Sequence, residues 1–212
     1  MKLNRTQEAL SESRDCLNLD YIDLYLVHWP GFEVKTGADK RGYLAQSRRE
    51  TWRNLEQCVM DKLVPSDYRF LRGIGISNYQ PCHIEEMRGY FSVKPTLIQR
   101  NYRETRLALD NVFGIDHVEF QAYSPLGNGS VDLLQHEKLI EIAEETNLSV
   151  SQVILSWVLN HRNLSVVVKS SNLERITENF NSTRYHLDVC HKDNIDSLCQ
   201  NKKMTWDSVN IL

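Results

Sequence analysis

Two hydrophobic periods share this chain. Residues 21–30, YIDLYLVHWP, form a short strand-like run closed by Pro30, and in the stretch before it Ala9, Leu10, Ser13, Cys16 and Leu17 fall on one helical face. Trp52, Leu55 and Val59 recur at helical spacing, after which RGIGIS (72–77) reads as a second strand ended by Asn78. TLIQRN (96–101), VEFQAYSP (118–125) and SVVVKS (165–170) read as three more strands. Between the last two lie a helix on Leu139, Ile140 and Ala143 and another on Val150, Val153, Ile154, Trp157 and Val158. Ser149 and Gln152 have the spacing of a capping box for the second. A helix is expected from the arginine in SSNLER onward, and a last one near 190–200.

Strands that alternate with helices and end in polar residues point to parallel βαβ units covered by helices. An open doubly wound sheet and a (β/α)8 barrel both fit this pattern. The chain has no GxGxxG and no P-loop, which removes the main support for a Rossmann reading. Polar residues gather at strand ends: His28, Ser77 and Asn78, Gln99, Tyr123 and Ser124, Lys169 and Ser170. In a barrel, such ends converge on the face where barrel enzymes keep their chemistry.

Composition narrows the function classes. The chain has 212 residues, 41% hydrophobic content and a net charge of −3, an ordinary globular balance that argues against a basic nucleic-acid binder. It has no membrane-length apolar run and no signal-peptide core at MKLNRTQEAL, so a cytoplasmic location is expected. Cys16, Cys58, Cys82, Cys190 and Cys199 are odd in number without a CxxC pair, so reduced structural thiols are expected. Cys190, His191 and Cys199 lack a fourth ligand at suitable spacing, and no metal is expected.

The motifs LDYIDLYLVHWP, GIGISNY, AYSPLGNG, SQVILSWVLN and VVVKSSNLERITENF, in this order and spacing, resemble the aldo-keto reductase family, most closely reductases of the glyoxal and 2,5-diketogluconate type. The resemblance implies a single 1–212 domain of the (β/α)8 TIM-barrel type, with about five of eight strands present and the N-terminal ones missing. It implies NADP(H) as cofactor and hydride transfer to small aldehydes and ketones. By the same resemblance Lys169, Ser170 and Arg175 contact the 2′-phosphate, and Glu178 and Asn179 the adenine. Two positive charges and a hydroxyl at a helix start suit a phosphate dianion. Val168 stands where the family has proline.

Ser77, Asn78 and Gln99 match the partners of the nicotinamide carboxamide, and Tyr123 the aromatic that stacks on its ring. Ser124, Leu126 and Gly127 would follow the pyrophosphate. His28 matches the histidine that orients the substrate carbonyl, and Trp29 the pocket wall beside it. QRNYRETR departs from the family pattern, so contacts from Asn101 and Arg103 are not carried over.

Carbonyl reduction needs a proton donor besides the hydride. The family's tyrosine and aspartate are expected upstream of residue 1, and Lys2 resembles its lysine. The stretch 61–73 is longer than the family connection. The expected protein is thus an NADP(H)-dependent carbonyl reductase whose partner is a small carbonyl substrate, with self-association through open barrel edges. The alternative is a non-catalytic protein binding a nucleotide or a partner; an unrelated phosphate-binding barrel enzyme ranks last.

Overall fold

A computed structural model describes residues 3–32, 40–60, 71–101, 118–161 and 164–198. Among them the contacts gather into two units. One runs through Ile98 and includes Val118; the other takes Gln99 to Asn101 and Glu119 to Leu198.

The first unit contains α1 (Leu3–Leu17), β1 (Ile22–Val27), α2 (Lys40–Met60), β2 (Leu71–Ser77), α3 (Pro81–Arg88) and the start of β3 (Leu97–Asn101). β1 and β2 pair in parallel, Ile22 opposite Leu71 and Val27 opposite Ile76. A parallel pair needs a long crossover, which contains α2. Gly75 in β2 has a steric reason: a Cβ there would lie 2.5 Å from Leu26 Cδ2 and from the Leu97 carbonyl oxygen. Trp52 and Leu55 of α2 and Ile84 and Met87 of α3 are buried.

Two tertiary ties fix the approach to β3. The Trp52 indole Nε1 donates to the Val93 carbonyl at 3.2 Å. The Glu56 carboxylate accepts from the amides of Ser92 and Val93 at 2.5 and 2.7 Å. Buried backbone donors need such partners. α3, which the sequence reading did not include, starts with Pro81 at its first position, and the Gln80 amide donates to His83 Nδ1 at 3.1 Å.

The second unit holds the rest of β3, β4 (Glu119–Tyr123), α4 (Val131–Leu134), α5 (Glu137–Thr146), α6 (Val150–Leu159), β5 (Leu164–Val167), α7 (Leu173–Asn181) and α8 (Val189–Ser197), with 3-10 turns at Gly127–Gly129 and Ser182–Arg184. β4 and β5 are parallel, Phe120 opposite Leu164 and Tyr123 opposite Val167. Their core includes Ala122, Leu139, Ile142, Val153, Trp157 and Ile195. The capping box at α6 is as expected: Ser149 Oγ accepts from the Gln152 amide and Gln152 Oε1 from the Ser149 amide, both at 3.1 Å.

Several element details differ from the sequence pattern. Thr6 and Leu10 are buried in α1, but Cys16 and Leu17, in the last turn of the helix, are exposed. In α2, Cys58 is buried and Val59 half-buried; in α5, Ile142 takes the core position and Ile140 is exposed. β5 stops at Val167 rather than residue 170 and is half-buried. Ser170 Oγ accepts the Asn172 amide at 3.2 Å, a local bond that competes with continued strand pairing. Among the described residues no helix is long and apolar enough to cross a membrane.

Candidate active site

In the first unit the ends of β1 and β2 are joined. Ser77 closes β2, and Asn78 follows it in the left-handed region at φ 62°, a conformation asparagine tolerates well. Both are almost fully buried. The turn aims Asn78 Nδ2 at the His28 carbonyl, 2.9 Å away, and at Ser77 Oγ, 3.2 Å away. His28, just past β1, keeps its side chain exposed, while Trp29 is half-buried. Their rings lie 5.7 Å apart, tilted by 43°. A hydrogen-bonding imidazole is thus presented beside an apolar wall, on backbone pinned by Asn78.

The second unit carries the remaining candidates in two groups. Gln99 Nε2 donates to Gln121 Oε1 at 2.7 Å, Gln121 Nε2 to Ser165 Oγ at 3.3 Å, and Ser165 Oγ to the Phe120 carbonyl at 3.3 Å. This polar row runs across β3, β4 and β5. Gln121 and Ser165 were missed in the sequence, although Gln121 lies two residues before Tyr123 and therefore shares its face of β4.

After Tyr123, which is half-buried, the chain turns sharply. Ser124, Gly127, Asn128 and Gly129 all have φ between 48° and 79°. Ser124 Oγ donates to Asn128 Oδ1 at 2.8 Å, and the Gly127 amide donates to the Ser124 carbonyl at 3.0 Å. Leu126 packs against the core and anchors this loop. The result is a tight, small-residue turn at a strand end, a surface that an extended ligand can approach closely.

The last group surrounds the start of α7. Asn172 is its N-cap, its side chain accepting from the Arg175 amide at 3.0 Å. Arg175 therefore sits in the first turn, and both it and Lys169 have exposed side chains. Ser170, half-buried, is tied to Asn172. Glu178 and Asn179 are half-buried; Glu178 lines a shallow groove with Gln152, Leu173, Thr177 and Asn181. The cations and the positive end of the helix together suit an anion.

Further expectations fall elsewhere. Lys2, Arg103 and residues 61–70 lie outside the described residues, as does Cys199. His191 contacts carboxylates: Glu145 and Asp188 each lie 3.0 Å from its ring nitrogens.

Comparison with known proteins places the chain. The model of the aldo/keto reductase family matches residues 1–199. Aldose reductase B of Dictyostelium discoideum is 35% identical over 202 residues, 87% of this chain and 61% of its own length. Glyoxal reductase of Bacillus subtilis is 35% identical over 201 residues, 94% of this chain and 64% of its own. The chain thus spans less than two thirds of these relatives. An aldo/keto reductase from Brucella melitensis superposes with a TM-score of 0.76 at 29% identity, covering 93% of this chain and 68% of that one. A variant of Gox0644 in complex with NADPH gives 0.79 at 26%, covering 97% and 69%. These matches show the expected α/β fold of the (β/α)8 barrel type. With ordered motifs, fold and family model in agreement over nearly its whole length, the chain belongs to the aldo/keto reductase family.

Proposed function

We propose that the chain forms the cofactor- and substrate-binding part of an NADP(H)-dependent carbonyl reductase. The observation that carries this reading is the Asn78 bond to the His28 carbonyl, which ties a candidate nicotinamide partner to the candidate substrate-orienting residue at 2.9 Å. The NADPH held by the related Gox0644 variant supports the cofactor. So does the chemistry present: exposed Lys169 and Arg175 at a helix start, and a small-residue turn after Tyr123, fit a phosphorylated dinucleotide.

When bound, NADPH supplies the hydride. In the second unit Lys169, Ser170 and Arg175 would hold its 2′-phosphate, Glu178 and Asn179 would meet the adenine, Ser124, Leu126 and Gly127 would follow the pyrophosphate, and Gln99 and Tyr123 would serve the carboxamide and the ring face. In the first unit Ser77 and Asn78 would serve the carboxamide. A His28 ring N–H donates to the carbonyl oxygen of an aldehyde or ketone and selects the productive pose, with Trp29 as an apolar wall. None of the nine tyrosines in the 212 residues is proposed as the family's acid. General acid catalysis is worth roughly 10²–10⁴-fold, so the chain by itself binds cofactor but turns over at background.

The test has two arms. NADPH fluorescence titration of the 212-residue chain is expected to saturate; absence of saturable binding overturns the reading. Fusing the chain to the N-terminal portion of Bacillus subtilis glyoxal reductase is expected to give NADPH oxidation with methylglyoxal, lost in His28→Ala. A folded fusion that binds NADPH without turnover leaves a nucleotide-binding protein instead.

A further inference from the structure

We infer that Arg48 is a positioning residue for the His28–Trp29 segment, an inference that rests on the functional reading above. Arg48 lies in α2, far from the ends of the strands in sequence, and its side chain is only 4% exposed. Its guanidinium forks onto Glu86 of α3, Nε to Oε1 at 3.2 Å and Nη2 to Oε2 at 2.5 Å. The remaining Nη1 donates to the Pro30 carbonyl at 3.2 Å. Pro30 is buried and follows Trp29 directly.

The segment is therefore held at both ends. Asn78 takes the carbonyl of its first residue, His28, and Arg48 the carbonyl of its last, Pro30. Between the two ties lie only Trp29 and Pro30, and the exposed His28 ring stands on the Cα that directly precedes the first tie. Proline fixes its own φ, so anchoring its carbonyl settles the remaining freedom at that end.

Stability alone is a poor reason for this arrangement. Buried ion pairs are often replaceable by apolar side chains at little or no loss, because desolvation offsets the attraction. What an apolar residue cannot do is direct a donor at the Pro30 carbonyl while held by a carboxylate in a fixed plane. The Glu86 fork fixes the guanidinium plane and so the direction of Nη1. Positional control of this kind matters where a misplacement of about 1 Å costs on the order of 100-fold in rate.

The experiment compares the 212-residue chain with Arg48→Met, Arg48→Lys and Glu86→Gln by two-dimensional NMR of histidine ring protons. His28→Gln assigns the resonance, and circular dichroism reports folding. In Arg48→Met the His28 resonance is expected to shift or broaden while those of His136 and His186 stay in place. Arg48→Lys should restore it in part, since lysine keeps the charge but not the fork. A His28 resonance identical to the parent's in folded Arg48→Met overturns the inference. If that variant does not fold, Arg48→Lys and Glu86→Gln decide it by the same criterion. NADPH titration runs in parallel: failure of the parent to bind removes the functional reading, whereas the resonance still judges Arg48.

Discussion

Asn78 reaches across fifty residues of sequence to hold the His28 carbonyl at 2.9 Å, and does so from a left-handed backbone at φ 62°. Two properties of asparagine are used at once, its amide donor and its tolerance of positive φ. They separate by substitution. Asn78→Gly keeps the backbone and loses the bond, which should cost about 1 kcal/mol. Asn78→Ala loses both and should cost about 2–3 kcal/mol. Urea unfolding of the two variants checks this, and equal losses would refute the backbone part.

Glycine is required at one of two neighbouring positions of β2 more than at the other. At Gly75 a methyl would meet the Leu97 carbonyl oxygen at 2.5 Å, and backbone there cannot step aside. At Gly73 the nearest atoms are 3.2 and 3.3 Å away. Overpacking of this sort costs about 1–3 kcal/mol, so Gly75→Ala should lie at or beyond the upper end and Gly73→Ala near the lower. Thermal denaturation ranks them.

Alkaline pH should destabilise the fold through Tyr79 and Tyr90. Burial pushes both phenols above the ordinary tyrosine value; the neighbouring Tyr90 adds to the rise at Tyr79, and the Glu86 carboxylate adds to the rise at Tyr90. The unfolded phenols ionise near pH 10 while the folded ones stay neutral, so this stability is complete below about pH 10 and declines as pH rises further. The decline approaches about 1.4 kcal/mol per pH unit for each tyrosine. Urea midpoints of the parent and Tyr79→Phe across this range should diverge, the variant losing less.

Cofactor preference should depend on Arg175. It is exposed in the first turn of α7, where a phosphate would approach. Arg175→Met is expected to weaken NADPH about tenfold or more while leaving NADH within twofold, as loss of a charge-assisted bond implies. Parallel titrations decide, and equal losses for both cofactors would count against a 2′-phosphate contact.

The 212-residue chain should self-associate. Leu173, Ile176 and Phe180 are exposed at 78%, 46% and 67%, spaced along one side of α7, and Val167 of β5 is also exposed. An apolar stripe of this kind favours burial against another surface. Sedimentation velocity should show mass rising with concentration at micromolar levels, suppressed in Phe180→Glu. A monomer throughout would contradict this.

Much of this was legible in the chain itself. Period and turn residues located the five described strands to within a few positions, and Ser149 with Gln152 announced the start of α6. These signals are local, because strand alternation and cap chemistry act over two to four residues. Ordered motifs likewise identified the family. Errors fell where local bonds compete with strand pairing, as at Ser170, or on helix faces, as at Cys16 and Ile140.

The sequence by itself determined the five described strands, the family and the residue types at the strand ends. Only tertiary structure decided which distant groups meet: Asn78 with His28, Arg48 with Glu86 and Pro30, Gln99 with Gln121 and Gln121 with Ser165. The physical reason is range. A buried hydrogen bond between residues dozens of positions apart leaves no period in the chain, since neither partner's neighbours need differ from those of any other polar residue; packing alone brings the two within reach.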